Sequence, residues 1–168
     1  FPTRRSSDLG WIWQGGIALA VVMFGDSVDG TLARMTTGGT RFGAFLDSTL
    51  DRLGDGAVFG SLTAYAVFHM DNSSVRTWTI IAGICSIVGA AAVPYARARA
   101  ESVGVVAKLG IAERTDRLII GMGTAMLMSL GLPEWVFACG LTWVAFASFV
   151  TVCQRIWFTA RHIDEGAQ

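Results

Sequence analysis

Between residues 11 and 158 the chain is cut into five long apolar stretches by short polar connections, and that division limits what it can fold into. The stretches run over about 11–35, 42–70, 75–98, 117–130 and 133–158. A helix needs about 20 residues to cross a ~30 Å hydrocarbon core, and all but the fourth reach that length. In lipid, only helices and closed barrels satisfy their own backbone hydrogen bonds. Strand-type alternation is absent, so the expected fold is all-α, a polytopic transmembrane helical bundle. The composition agrees: 52% hydrophobic and 15% charged, against roughly 25% charged in a soluble domain. Small residues crowd the stretches, as in GICSIVGAAA (83–92) and GMGTAM (121–126), which lets membrane helices approach closely. Formal net charge is zero, so no overall charge draws the chain to nucleic acid.

Positive charge sorts by connection. If successive connections alternate sides, Arg34, Arg41, Arg52, Arg97, Arg99, Lys108, Arg114, Arg117, Arg155 and Arg161 share one side, and Arg76 stands alone on the other. The basic side is expected to be cytoplasmic, in a cell (inner) membrane. Residues 1–9, FPTRRSSDL, resemble a translated sequencing adapter, so they are expected to be non-native. Residues 10–168 then form one N-terminally truncated transmembrane domain. The first stretch would begin outside the cell. A cytoplasmic start needs one more crossing before it, so five helices of six are expected here, with poor activity for the chain as written.

Four aspartates interrupt this apolar chain. Asp26 and Asp29 are spaced i, i+3, and Asp47 and Asp51 are spaced i, i+4. On helices each pair shares a face. The turn TTGGTR (36–41) makes the two helices antiparallel neighbours, so both pairs can meet near one membrane edge. Four carboxylates repel strongly at low dielectric and are costly in a membrane unless compensated. Arg34 and Arg52 offset part of the charge, and a divalent cation offsets it better. All-oxygen donors suit Mg²⁺, Mn²⁺ or Ca²⁺. The plain alternative is a salt-bridged cluster at a helix end. Gly30, Ala33 and Gly43 leave room for a ligand beside the backbone, and Arg34 supplies a phosphate fork. The three cysteines, Cys85, Cys139 and Cys153, sit singly in apolar runs and show neither metal nor disulfide spacing.

The stretch Asp26-x-x-Asp29-Gly30-x-x-Ala33-Arg34, eight residues, then Gly43-x-x-x-Asp47-x-x-x-Asp51 resembles the full signature of the CDP-alcohol phosphatidyltransferase family. The resemblance implies six transmembrane helices, a homodimer and an active site open to the cytoplasm. It implies a two-ion Mg²⁺ or Mn²⁺ centre on Asp26, Asp29, Asp47 and Asp51, with Asp51 as general base. That base takes the proton of the acceptor hydroxyl, which attacks the β-phosphorus of a CDP-linked lipid and expels CMP. Asp29, Gly30, Ala33, Arg34 and Gly43 would shape the CDP pocket.

The acceptor is read from other blocks. PYARARAE (94–101), IAERTDRLII (111–120) and TVCQR (151–155) resemble those of the actinobacterial phosphatidylinositol phosphate synthases, whose acceptor is inositol 1-phosphate. By position, Arg97, Arg117 and Arg155 would bind the acceptor phosphate. Two positions depart: the subfamily usually has Lys at Arg97 and Ser at Pro94. Arg for Lys keeps the charge and changes the hydrogen-bond geometry, and Pro94 removes a hydroxyl and an N–H.

The expected reaction is phosphatidyl transfer from CDP-diacylglycerol to inositol 1-phosphate. A phosphatidylglycerophosphate synthase, using glycerol 3-phosphate, is the alternative. Free inositol fits less well, because three buried arginines would lack an anion. Arg114 either pairs with its sequence neighbours Glu113 or Asp116 or lines the pocket. A cation transporter is the reading from another class. It fits less well with acids near one face and no internal repeat.

Overall fold

A computed structural model describes residues 40–107, 109–111 and 113–163. They form four helices: α1 Arg41–His69, α2 Ser74–Ser102, α3 Arg114–Ser129 and α4 Glu134–His162. The expected helix over residues 11–35, with Asp26, Asp29, Gly30, Ala33 and Arg34, lies outside the described residues. Among the described residues there is no strand.

Each helix begins and ends where local chemistry allows. Thr40 caps α1, its hydroxyl accepting from the Gly43 N–H at 3.0 Å. Ser73 caps α2 in the same way, accepting from the Arg76 N–H at 3.2 Å. Past the end of α2, Gly104 takes φ +85 and the Val105 N–H returns to the Ala100 carbonyl at 3.0 Å. Past α3, Gly131 takes φ +104 and the Leu132 N–H returns to the Leu127 carbonyl at 3.2 Å. Both are left-handed stops that glycine accepts without strain. Pro133 then leads directly into α4.

Where helix ends differ from the hydropathy reading, charge explains it. α2 continues to Ser102 rather than stopping near residue 98, with Arg99 in its last turn, where cations suit the helix dipole. α3 starts at Arg114, not near residue 117, because its polar first turn is paired across to α1. α4 runs on to His162, and its last turn is covered by rings: Arg161 lies 3.8 Å from the Trp157 ring centroid, and His162 stacks on Phe158.

The packing partners fix the directions. Arg76 Nη2 donates to the Val67 carbonyl at 2.7 Å, joining α1 and α2 at one end. Trp78 Nε1 donates to Thr142 Oγ1 at 2.8 Å, and Ser86 Oγ donates to the Leu141 carbonyl at 2.9 Å. Further along, Arg155 reaches the Val93 carbonyl, so α2 and α4 run parallel. α1 and α3 also run parallel, since Asp51 faces Arg114 and Phe59 faces Gly121. All arginines on the described helices except Arg76 therefore collect at the end where α1 and α3 start and α2 and α4 finish.

Small residues set the spacing. A Cβ at Gly89 would lie 2.6 Å from the Ser148 Cβ, and one at Gly121 would lie 3.0 Å from Phe59 Cε1. The core is Phe59, Phe137, Leu141 and Val144, each buried. Outside it the usual polarity is inverted. Ile81, Ile84 and Val88 on α2, and Trp143, Phe146 and Phe149 on α4, are exposed. So much contiguous apolar surface is unfavourable in water and is the natural outer face in lipid. α2 and α4 are each 29 residues long, with mean hydropathy of 1.8 and 2.0 over their most apolar windows, enough to cross a bilayer. This is a membrane protein. α1 is long enough but charged in its first half, and α3 has only 16 residues.

Candidate active site

The acidic stripe on α1 is longer than the signature suggests. Asp47, Asp51 and Asp55 follow one another at i, i+4, so burial increases along one face from the helix start inward. Asp47 is exposed, Asp51 is half-buried and Asp55 is buried. The first turn of α3 lies against this face. Arg114 Nη1 is 2.7 Å from Asp51 Oδ1, and Arg114 Nε is 2.9 Å from Asp55 Oδ1. Arg117 Nη2 is 3.2 Å from Asp55 Oδ2. Arg114 and Arg117 are on one face of α3 because they are spaced i, i+3.

Arg155 arrives from α4. Its Nε donates to the Leu109 carbonyl at 2.9 Å, and its Nη1 donates to the Val93 carbonyl. Val93 immediately precedes Pro94, which has no N–H to give to the helix. The same guanidinium thus ties α4 both to α2 and to the α2–α3 connection. That connection packs on α4 through Gly110, where any Cβ would run into the Thr151 side chain.

These elements enclose a cavity of about 750 Å³ at the basic end of the bundle. Its wall includes Asp51, Arg52, Arg97, Arg114, Arg117 and Arg155. All three arginines expected at the acceptor phosphate therefore reach one cavity, together with Asp51. Their states differ from expectation. Arg97 is exposed, not buried, and its Nε is 2.9 Å from Glu101 Oε1. Arg117 is buried and already faces a carboxylate. The argument that free inositol would leave three buried arginines without an anion therefore fails for Arg97 and Arg117. Of the two readings of Arg114, lining the pocket is the one found: it lines the cavity, and its ion pairs are to Asp51 and Asp55 rather than to Glu113 or Asp116. Glu101 and Asp55 were not singled out in the sequence. For Asp55 a signal was present, as the next step of the Asp47–Asp51 repeat.

Gly43 lies in the first turn of α1, where a Cβ would sit 3.1 Å from Thr40 Oγ1. The other expected CDP-pocket residues lie outside the described residues, as do two of the four candidate metal ligands. Among the described residues no group of three His, Cys, Asp or Glu side chains is placed to hold a metal. Asp47 and Asp51 supply oxygen donors one turn apart, and Asp51 opens on the cavity. That donor chemistry fits half of a site for a hard divalent cation.

The sequence profile of CDP-alcohol phosphatidyltransferases matches residues 4–151. The chain belongs to the CDP-alcohol phosphatidyltransferase family. It is similar to the phosphatidylinositol phosphate synthase of Mycolicibacterium smegmatis, with 42% identity over 151 residues, 88% of this chain and 66% of that one. It is similar to the enzyme of the same name from Cutibacterium acnes, with 38% identity over 88% of this chain and 72% of the other. The chain thus spans about two thirds of the length of these relatives.

Among solved structures, it is similar to the Mycobacterium tuberculosis phosphatidylinositol phosphate synthase with CDP-DAG bound. The TM-score is 0.79 at 35% identity, covering 88% of this chain and 73% of that one. The same enzyme in complex with manganese and citrate superposes with a TM-score of 0.80 at 33% identity, covering 94% and 74%.

Proposed function

We propose that the chain transfers a phosphatidyl group from CDP-diacylglycerol to inositol 1-phosphate, giving phosphatidylinositol phosphate and CMP. The observation that carries this reading is the shared cavity: a half-buried carboxylate, Asp51, and the guanidiniums of Arg97, Arg114, Arg117 and Arg155 face one space of about 750 Å³. A phosphomonoester needs cations that also form directed hydrogen bonds, which arginine provides. The names of the relatives and their 42% and 38% identities support the same acceptor.

In this reading Asp51 takes the proton of the acceptor hydroxyl, while Arg97, Arg117 and Arg155 hold the acceptor phosphate. Arg114 orients the Asp51 carboxylate through its 2.7 Å ion pair. Asp26, Asp29, Asp47 and Asp51 would hold two Mg²⁺ or Mn²⁺ ions. When bound, these ions supply charge neutralisation at the pyrophosphate and the departing CMP. Asp29, Gly30, Ala33, Arg34 and Gly43 would hold the CDP group. The manganese complex of a relative supports divalent metal without choosing between the two ions.

The concentration of Arg41, Arg52, Arg97, Arg99, Arg114, Arg117, Arg155 and Arg161 at one end of the helices supports a cavity that opens to the cytoplasm from the inner membrane. There a lipid-anchored donor meets a water-soluble acceptor. A homodimer of six-helix subunits is part of the same reading.

Three arginines at the acceptor phosphate suit any small phosphomonoester, so glycerol 3-phosphate is the comparison substrate. The test is incorporation of labelled acceptor into lipid with CDP-diacylglycerol and Mg²⁺, comparing inositol 1-phosphate, glycerol 3-phosphate and free inositol. Label from inositol 1-phosphate, lost on chelation and restored by Mg²⁺ or Mn²⁺, is the expected result. Label from glycerol 3-phosphate alone would keep the mechanism and replace the acceptor.

A further inference from the structure

Asp55 is the only carboxylate buried among the described residues, at 1% exposure. Neither the proton transfer nor the metal set proposed above uses it. A buried charge without excellent pairing is strongly unfavourable, and an apolar group of similar size would pack there with no such cost. Its position shows what the charge accomplishes. Oδ1 accepts from Arg114 Nε and Oδ2 from Arg117 Nη2, so each oxygen fixes a different guanidinium. The two arginines then reach the cavity with different tasks. Arg114 carries its Nη1 to Asp51, and Arg117 lines the wall where the acceptor phosphate is proposed to sit.

We infer that Asp55 is a positioning residue for the transfer reaction: it aims Arg117 at the acceptor phosphate and braces Arg114 against the carboxylate of Asp51. This rests on the proposed function. Asp55 touches neither substrate. A guanidinium is planar with donors in a fixed fork, so holding one N–H sets the direction of the others. A long side chain left to rotate would lose that direction and pay conformational entropy on binding. One carboxylate locking both arginines also couples two requirements, acceptor bound and base oriented, through a group below the cavity floor.

The test is steady-state lipid formation by the full enzyme with inositol 1-phosphate varied at saturating CDP-diacylglycerol and Mg²⁺. The variants are Asp55→Asn, Asp55→Glu, Arg117→Gln and the Asp55→Asn/Arg117→Gln double variant. Asn keeps the shape and puts a donor amide against a guanidinium, so one arginine loses its anchor. Asp55→Asn is expected to raise KM for inositol 1-phosphate about 10- to 100-fold and to leave KM for CDP-diacylglycerol within about twofold. Asp55→Glu, which keeps the charge and both oxygens, recovers part of the loss. In the Arg117→Gln background the Asn change raises acceptor KM by less than it does alone, because the two residues act as a unit.

KM does not depend on the fraction of enzyme that is folded, so a lower yield cannot imitate this pattern. An unchanged acceptor KM with reduced kcat, or equal rises in both KM values, would overturn the inference and leave the proposed function standing. Failure of both Asp55 variants to give folded protein would make Asp55 a folding element and overturn it too. A wild-type enzyme that uses no phosphomonoester would overturn the proposed function itself, before any variant is compared.

Discussion

Arg114 Nη1 and Asp51 Oδ1 are 2.7 Å apart, and each side chain is about one third exposed. A cation from α3 therefore sits on the carboxylate proposed both to take a proton and to hold metal. Two positive charges near one carboxylate repel each other, so the guanidinium and a divalent ion share Asp51 at a cost. Arg114→Gln removes one of them. It is expected to lower the Mg²⁺ concentration for half-maximal activation by at least roughly tenfold, since a single and a double charge about 6 Å apart repel by about 1.4 kcal/mol even in a water-like dielectric. Metal titration of CMP release checks this; an unchanged or raised Mg²⁺ requirement would count against it.

Asp51→Asn preserves the shape and removes the base. Acceptor-dependent CMP release is expected to fall by about 10²- to 10⁴-fold, the usual contribution of a positioned general base. Because Asp51 is only half-buried, thermal stability in detergent should change little. Loss of folding instead of turnover would show a structural role.

Arg117 is 3% exposed and pairs with the buried Asp55. Arg117→Met leaves that carboxylate paired with Arg114. The expected loss is about 3 kcal/mol, at the low end for breaking a buried pair, since Arg114 remains. Thermal unfolding of the purified variant measures it. The double change Asp55→Leu/Arg117→Met removes both charges and is expected to recover much of that stability while remaining inactive.

At Gly89 the α2–α4 contact is tight enough that a Cβ would lie 2.6 Å from the Ser148 Cβ. Gly89→Ala is expected to destabilise by about 1–3 kcal/mol through overpacking, despite alanine's better helix propensity. Gly89→Ala/Ser148→Gly should restore most of the loss, measured again by thermal unfolding.

Arg155 joins three segments through the Leu109 and Val93 carbonyls. Arg155→Lys keeps the charge but replaces a planar fork with one ammonium. It is expected to lower activity at least about tenfold, even if the acceptor phosphate needs only charge there. Acceptor KM and proteolysis of the 103–113 connection are the two readouts. Wild-type KM with unchanged proteolysis would remove both roles.

The four described helices were legible in the chain. Apolar run length sets a helix in lipid, and Thr40, Ser73, Gly104 and Gly131 mark ends by local hydrogen bonding and backbone conformation. The pairing of Asp47 with Asp51 on one face was also legible, since i, i+4 spacing is a property of the helix itself. The first expected helix, with Asp26 and Asp29, lies outside the described residues.

What the sequence could not show is which charge meets which. Arg114 has acids beside it in sequence, at Glu113 and Asp116, yet its carboxylates come from α1, 59 residues away in the case of Asp55. The burial of Asp55 and the exposure of Arg97 likewise depend on how α1, α2 and α3 pack. Periodicity places a residue on a helix face, because that follows from 3.6 residues per turn. Only tertiary packing decides what lies opposite that face, because burial and the strength of each ion pair belong to the space between helices.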